Sequence, residues 1–139
     1  MGEEVFEAIR RRVAEEPYAK KMGLKLVEVD EGYALVEMKF TENMENVFGM
    51  AHGGAIFSLI DEAFEIASNS HGTVSVALSM SVTYVSSPKK GETLQAEGTE
   101  VSRSNRVATY SIKVKTKGGD LIAICQALVY RKRDPLPFL

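Results

Sequence analysis

The sequence predicts an α+β fold in which one curved antiparallel sheet wraps around a single long helix. Three observations lead there. A helix over Gly54–Ser70 is apolar around most of its circumference. Two strands precede it and four follow it, separated by turn signals. One further amphipathic helix, at the start of the chain, has the pattern of a cover for part of a sheet. Curling one sheet around the central helix buries that helix without a second layer.

Each element has its own signal. Over Glu3–Glu16, Val5, Phe6, Ile9 and Val13 recur at helical spacing, and Pro17 stops the run. Strands are expected at Leu24–Asp30 and Tyr33–Phe40, joined by the turn Asp30-Glu31-Gly32. Thr41–Ala51 has no period and reads as a loop. In the central helix, Ala55, Ile56, Leu59, Ile60, Ala63, Phe64, Ile66 and Ala67 occupy the apolar arc. Ser58, Asp61, Glu62, Glu65, Ser68 and Asn69 share the remainder. Thr73–Ser86 is the cleanest strand, with Val74, Val76, Leu78, Met80, Val82 and Tyr84 alternating with small polar residues. Strands at Thr93–Val101, Val107–Thr116 and Leu121–Tyr130 follow, joined as hairpins. The tail from Asp134 is extended by its prolines.

Composition bounds the function. The 139 residues fit one domain, 1–139, and 45% hydrophobic with 26% charged residues is globular composition. A formal net charge of −2 exerts no overall pull toward nucleic acid or membrane. Cys125 is the one cysteine, so no intramolecular disulfide forms, which suits a reducing compartment. The charged stretch 1–12 lacks the apolar core of a signal peptide, and no apolar run reaches the roughly 20 residues that span a bilayer. The expectation is a soluble cytoplasmic protein. Two histidines and one cysteine supply no metal-ligand set, and no cofactor is expected.

Chemistry concentrates between Asn46 and Phe64. A loop passes through Gly53-Gly54 into the central helix, and a helix start offers uncovered N–H donors at the positive end of its dipole. Such donors suit a polarised carbonyl oxygen. Asp61 places a carboxylate two turns further along, and Asn46 lies in the preceding loop. Together they have the parts of an acyl-transfer site. Each has a plain reading too. Asp61 fits a surface carboxylate, Gly53 and Gly54 a permissive turn, and Ser79 an alternating strand residue. His52 reads as a ring that shapes the glycine turn, His71 as a partner for the helix C-terminus, and Cys125 as core. The basic residues at strand ends, among them Lys89, Lys90, Arg103, Arg106 and Arg131, read as solvated turn charges, a few of them within the chemistry of a phosphate contact.

Asn46, then His52-Gly53-Gly54, then Asp61 nine residues after the histidine, within this order of elements, resembles the hotdog-fold acyl-CoA thioesterases of the phenylacetate-degradation, or PaaI-like, type. The resemblance spans about Tyr18 to Tyr130. It implies hydrolysis of an acyl-CoA thioester, coenzyme A entering as part of the substrate, and a homodimer often paired into a homotetramer. It implies that Asp61 attacks the thioester carbonyl or activates water. Gly53 would hold the carbonyl oxygen, Asn46 position water, and His52 and Ser79 assist. Ile60 and Glu62 depart from the small or hydroxyl residues common beside the aspartate; Ile60 would tighten the pocket, and Glu62 would add a second negative charge beside Asp61. A hotdog hydratase or dehydratase using His52 with Asp61, and a non-catalytic acyl-CoA sensor, are the competing readings.

Overall fold

The computed structural model describes residues 2–139. Its elements in chain order are α1 (Gly2–Glu15), α2 (Pro17–Met22), β1 (Lys25–Asp30), β2 (Tyr33–Lys39), a 3-10 turn (Glu42–Met44), α3 (Gly53–Asn69), β3 (Thr73–Tyr84), β4 (Thr93–Arg103), β5 (Val107–Thr116) and β6 (Leu121–Pro135). All six strands form one antiparallel sheet in the order β1-β2-β4-β5-β6-β3. The sheet curls around α3, which touches every strand, and α1 packs beside β1. This is the hotdog architecture.

The core is the helix-facing side of the sheet. Leu59, Ile60, Ala63, Phe64 and Ala67 of α3 meet Ala34, Val36, Met38, Leu94, Ala96, Ile112, Val114, Ala123 and Val129, all essentially buried. Backbones approach closely where β4 crosses α3. A Cβ added to Gly98 would lie 3.2 Å from the Ala63 carbonyl oxygen, so a larger residue would push sheet and helix apart. Ile60 is fully buried and packs in the core.

Three features differ from the expected pattern. Pro17 ends α1 but also opens α2, because its fixed φ suits the first position of a helix. Six residues carry too little periodicity to announce that helix. Strand β6 continues through Arg131-Lys132-Arg133-Asp134 to Pro135, a charged stretch with no apolar signal, and Leu136 then donates its N–H to the Gly72 carbonyl at 3.1 Å.

Strand β3 contains a bulge between Ala77 and Ser79. One extra residue breaks the alternation. Ala77 pairs with buried Val129, whereas Ser79, Ser81 and Thr83 pair with Leu128, Gln126 and Ile124 on the opposite face of the sheet. Ser75 and Ala77 therefore face α3, while Ser79 does not, although a strict period would group them. β3 lies at an edge of the sheet and runs antiparallel alongside α3. Its ends are tied to the ends of that helix, through Tyr84 Oη donating to the Gly53 carbonyl at 3.1 Å and Ser75 N–H donating to Asn69 Oδ1 at 2.8 Å.

His71 follows α3 but bonds across the sheet rather than to the helix end. Glu100 accepts from His71 Nε2 at 2.6 Å and from Tyr110 Oη at 2.9 Å, and Arg103 donates to His71 Nδ1 at 2.8 Å. A carboxylate only accepts and a guanidinium only donates, so these partners fix the proton on Nε2. Tyr110 meets Phe64 edge to face, with ring centroids 5.7 Å apart.

Burial would raise the Glu100 carboxyl, but bonds from His71 and Tyr110 and the nearby Arg103 charge outweigh it and leave it below its ordinary value. A depressed carboxylate contributes stability that is present above its unfolded value of 4.5 and is lost as pH falls through the folded one. Glu100→Gln is therefore expected to cost about 1.5–3 kcal/mol near neutrality. The difference from wild type should shrink progressively below about pH 4.5. Urea titrations across that range would read it, and a pH-independent difference would refute it.

Candidate active site

The start of α3 is built by the residues before it. Asn46 Oδ1 accepts the N–H groups of Phe48 at 2.9 Å and Met50 at 3.0 Å, closing the loop 46–50 on itself. Among the described residues nothing accepts from its amide nitrogen. Gly49 sits at φ 74°, where a side chain would be strained. The loop leaves Val47 94% and Phe48 81% exposed, and His52 N–H then bonds to the Met44 carbonyl at 2.7 Å.

His52 is the N-cap of α3, its Nδ1 accepting from Gly54 N–H at 2.8 Å. The expectation of an uncapped helix start is corrected here: an imidazole does what Ser or Asp ordinarily does. A Cβ at Gly54 would lie 3.0 Å from that nitrogen, so a larger residue there would crowd the capping ring. The N–H groups of Ala55 and Ile56 point to the His52 carbonyl. Among the described residues nothing accepts from Gly53 N–H, leaving one donor at the positive end of the helix. Tyr84, absent from the candidates, packs on this glycine and holds its carbonyl; its ring lies 3.4 Å from where a Gly53 Cβ would be. The pairing needs the β3 register, which sequence does not carry.

Asp61 is half-buried on α3 and has no hydrogen bond or ion pair with a described residue. Burial, then the Glu16 charge, raises its carboxyl above the ordinary value. A positioned carboxylate that holds protons more readily is a better base at neutral pH. Ser58, one turn earlier, hydrogen-bonds to Tyr18 at 2.6 Å and donates to the Gly54 carbonyl at 2.9 Å, bringing α2 onto this flank.

Glu62 does not share the surface with Asp61. It is 3% exposed, turned toward Glu16, and burial with that contact pushes it up to about 9. The polar arc of α3 is thus narrower than expected, since Glu62 and Ser68 are both covered. Ser79 lies across the sheet from Asp61, for the register reason above. Cys125 is buried facing α3, and burial raises its thiol, as befits a core residue. Of the strand-end cations, Lys90 pairs with Glu42 and Glu45, Arg103 with His71, and Arg131 with the Ser104 carbonyl.

Along α3, Gly53 and Asp61 are about 12 Å apart at 1.5 Å per residue. An oxyanion donor and a base must each reach about 3 Å from one reacting carbon. The two groups suit acyl transfer, but one copy of the helix does not bring them to one carbonyl.

The fold is that of the hotdog proteins, and comparison with known proteins gives the family. Residues 48–123 match the thioesterase superfamily. A protein of Archaeoglobus fulgidus, provisionally named an esterase, is 43% identical over 113 residues, 81% of this chain and 73% of its own. The acyl-coenzyme A thioesterase PaaI of Escherichia coli is 31% identical over 81% of each chain. The solved PaaI protein of the E. coli phenylacetic acid degradation operon superposes with a TM-score of 0.91 at 26% identity, covering 96% of this chain and 97% of that one. The chain belongs to the thioesterase superfamily, in its PaaI-like hotdog branch, and is a thioester hydrolase.

If His52 serves as cap rather than base, His52→Asn should keep most of both stability and turnover, since Asn caps well. His52→Ala should lose about 0.5–2 kcal/mol of stability. A folded His52→Asn protein with kcat down a hundredfold or more would restore the histidine as a base.

Proposed function

We propose that the chain hydrolyses acyl-coenzyme A thioesters carrying a small aryl or medium-chain acyl group, releasing the free acid and coenzyme A. One observation carries the reading: an unpaired carboxylate, Asp61, and an unused donor, Gly53 N–H, flank the helix in a thioesterase fold. Similarity to a named acyl-coenzyme A thioesterase supports coenzyme A as the thiol. In this reading Asp61 either attacks the carbonyl, forming an anhydride that water then hydrolyses to the free acid, or takes the proton of the water that attacks. Gly53 N–H holds the developing oxyanion, and the free amide of Asn46 orients water. The C–S bond breaks and the thiolate leaves as the protonated thiol. The spending of His52 Nδ1 on the cap weighs against a hydratase that needs that ring as its base.

The site is completed between two chains, with Asn46 and Gly53 from one and Asp61 from the other. Support comes from β3, a twelve-residue edge strand with no charge and no proline, exposing Val76 and Leu78. Edges of that kind invite pairing, and a two-fold axis there yields an isologous dimer. The exposed Val101, Val107 and Ile124 on the outer face of the sheet suit a second contact that makes a homotetramer. No described helix is long and apolar enough to cross a membrane, which accords with a cytoplasmic place of work. His52 assists only by shaping the turn; Ser79 assists only if an arrangement of two chains brings the outer face of β3 to a substrate.

Incubation with a panel of acyl-CoAs and a thiol reagent tests the activity. Free coenzyme A should appear, and Asp61→Asn should lower kcat about 10²–10⁴-fold in a folded protein. Near-wild-type turnover by Asp61→Asn would remove Asp61 from the chemistry.

Shared sites make a separate prediction. Asp61→Ala and Asn46→Ala chains, each nearly inactive, should regain activity when unfolded and refolded together, because each mixed dimer holds one intact site. Mixtures that remain inactive, with exchange confirmed by mass, would show that each chain works alone.

A further inference from the structure

The flank of α3 beyond Asp61 holds a second group of carboxylates that the thioesterase reading does not use. Glu62 and Glu65 are three residues apart on one helical face. Glu16 arrives from the α1–α2 junction. The residue before a proline is held extended, and Glu16 has φ −66° and ψ 118°. Its carboxylate is not spent on capping α2. One oxygen from each of Glu16, Glu62 and Glu65 lies within 4.8 Å of the other two. Beside them a cavity of about 370 Å³ opens between α1, α3, β3 and the tail, lined by Glu16, Glu65, Asn69, Ser75, Arg12 and Phe138.

One observation besides the acidic cluster points to a ligand, and a second lies within the cluster. Ser75 is 9% exposed, lines the cavity from β3, and its hydroxyl oxygen has no hydrogen-bond partner. Glu62 is 3% exposed with Oε2 equally unpartnered. Among the described residues these are the two buried side-chain polar atoms left unsatisfied, and both belong to this corner. Arg12 borders the cavity without forming an ion pair to any of the three carboxylates. Crowding without a counter-charge is costly: burial, then the neighbouring carboxylates, pushes Glu65 up to about 7 despite its partial exposure.

We propose that Glu16, Glu62 and Glu65, with the Ser75 hydroxyl, form a binding site for a hard divalent cation such as calcium, magnesium or manganese. The donors are all oxygen, which selects these ions over softer ones. Ligands about 2.3–2.6 Å from calcium lie at most about 5 Å from one another, so the carboxylate spacing matches one coordination shell. The cavity leaves room for waters to complete it. The site ties the α1–α2 junction to α3 and to β3, one turn from Asp61, and is independent of how the thioester is cleaved.

The full chain, stripped with chelator, is titrated with MnCl2, CaCl2 and MgCl2 at constant ionic strength. Bound manganese is counted by electron paramagnetic resonance, and the melting temperature is followed in parallel. One manganese per chain is expected, with a rise in Tm of about 5–10 °C at a cation concentration near a hundredfold Kd. Glu62→Gln and Glu65→Gln replace carboxylates by isosteres of their protonated forms, so folding is retained. Each should weaken manganese binding at least tenfold, Ser75→Ala should weaken it less, and exposed Glu4→Gln should not change it. Absence of bound manganese at 1 mM in the wild type would overturn the proposal in favour of carboxyls that share protons. Unchanged binding by the Glu62→Gln/Glu65→Gln double variant would overturn it equally, by placing the ion elsewhere.

Discussion

Everything in this chain depends on burying one long helix inside one curled sheet. The approach is so close at Gly98 that a single Cβ would meet the helix backbone at 3.2 Å. Sheet and helix therefore share one set of contacts rather than two layers, and small residues such as Ala63, Ala67, Ala96 and Ala123 recur where they meet. A helix gripped on most sides has one flank left for polar groups. That flank is where Ser58, Asp61 and Glu65 emerge, and the segment Glu16–Tyr18 leans onto it.

The same constraint explains what was legible in the sequence. The helix, the hairpins and the β5 strand follow from periodicity, because burial on one side imposes it. His52, Gly53, Gly54 and Asp61 stand out because the turn into α3 leaves little room for a Cβ and the helix then carries a carboxylate nine residues after the histidine. Other features depend on contacts that no local pattern encodes. The β3 bulge moves Ser79 to the outer face without any change in the hydrophobic pattern. The capping role of His52 depends on a rotamer that brings Nδ1 within 2.8 Å of Gly54 N–H. Glu62 reads as a solvated residue until Glu16, far away in sequence, covers it. Short α2 and the charged end of β6 carry no period at all.

The helix start shows how local rules assign chemistry by elimination. Four N–H groups at an N-terminus lack helical partners. Here Gly54 gives its N–H to the His52 ring, and Ala55 and Ile56 give theirs to the His52 carbonyl. One histidine thus absorbs the competing donors and leaves that of Gly53. A dipole end with a single free donor is more selective than an open one, because an oxyanion can be held in only one place. Tyr84 holds the carbonyl on the other side of the same residue, so Gly53 is positioned by β3 as well as by α3.

Strand β3 links these observations. It is tied to both ends of α3, at Gly53 through Tyr84 and at Asn69 through Ser75, so it lies parallel to the helix axis along the polar flank. Its outer edge is unpaired in the single chain, and pairing that edge with a second copy would bring a second α3 alongside the first in the opposite sense. Reversal along an axis exchanges the ends: a group near the start of one helix comes level with a group further along the other. A separation of about 12 Å along one helix, too large for one carbonyl, then ceases to be an obstacle. An edge strand left uncharged and a donor placed too far from its carboxylate would, in such a pair, be two consequences of one arrangement.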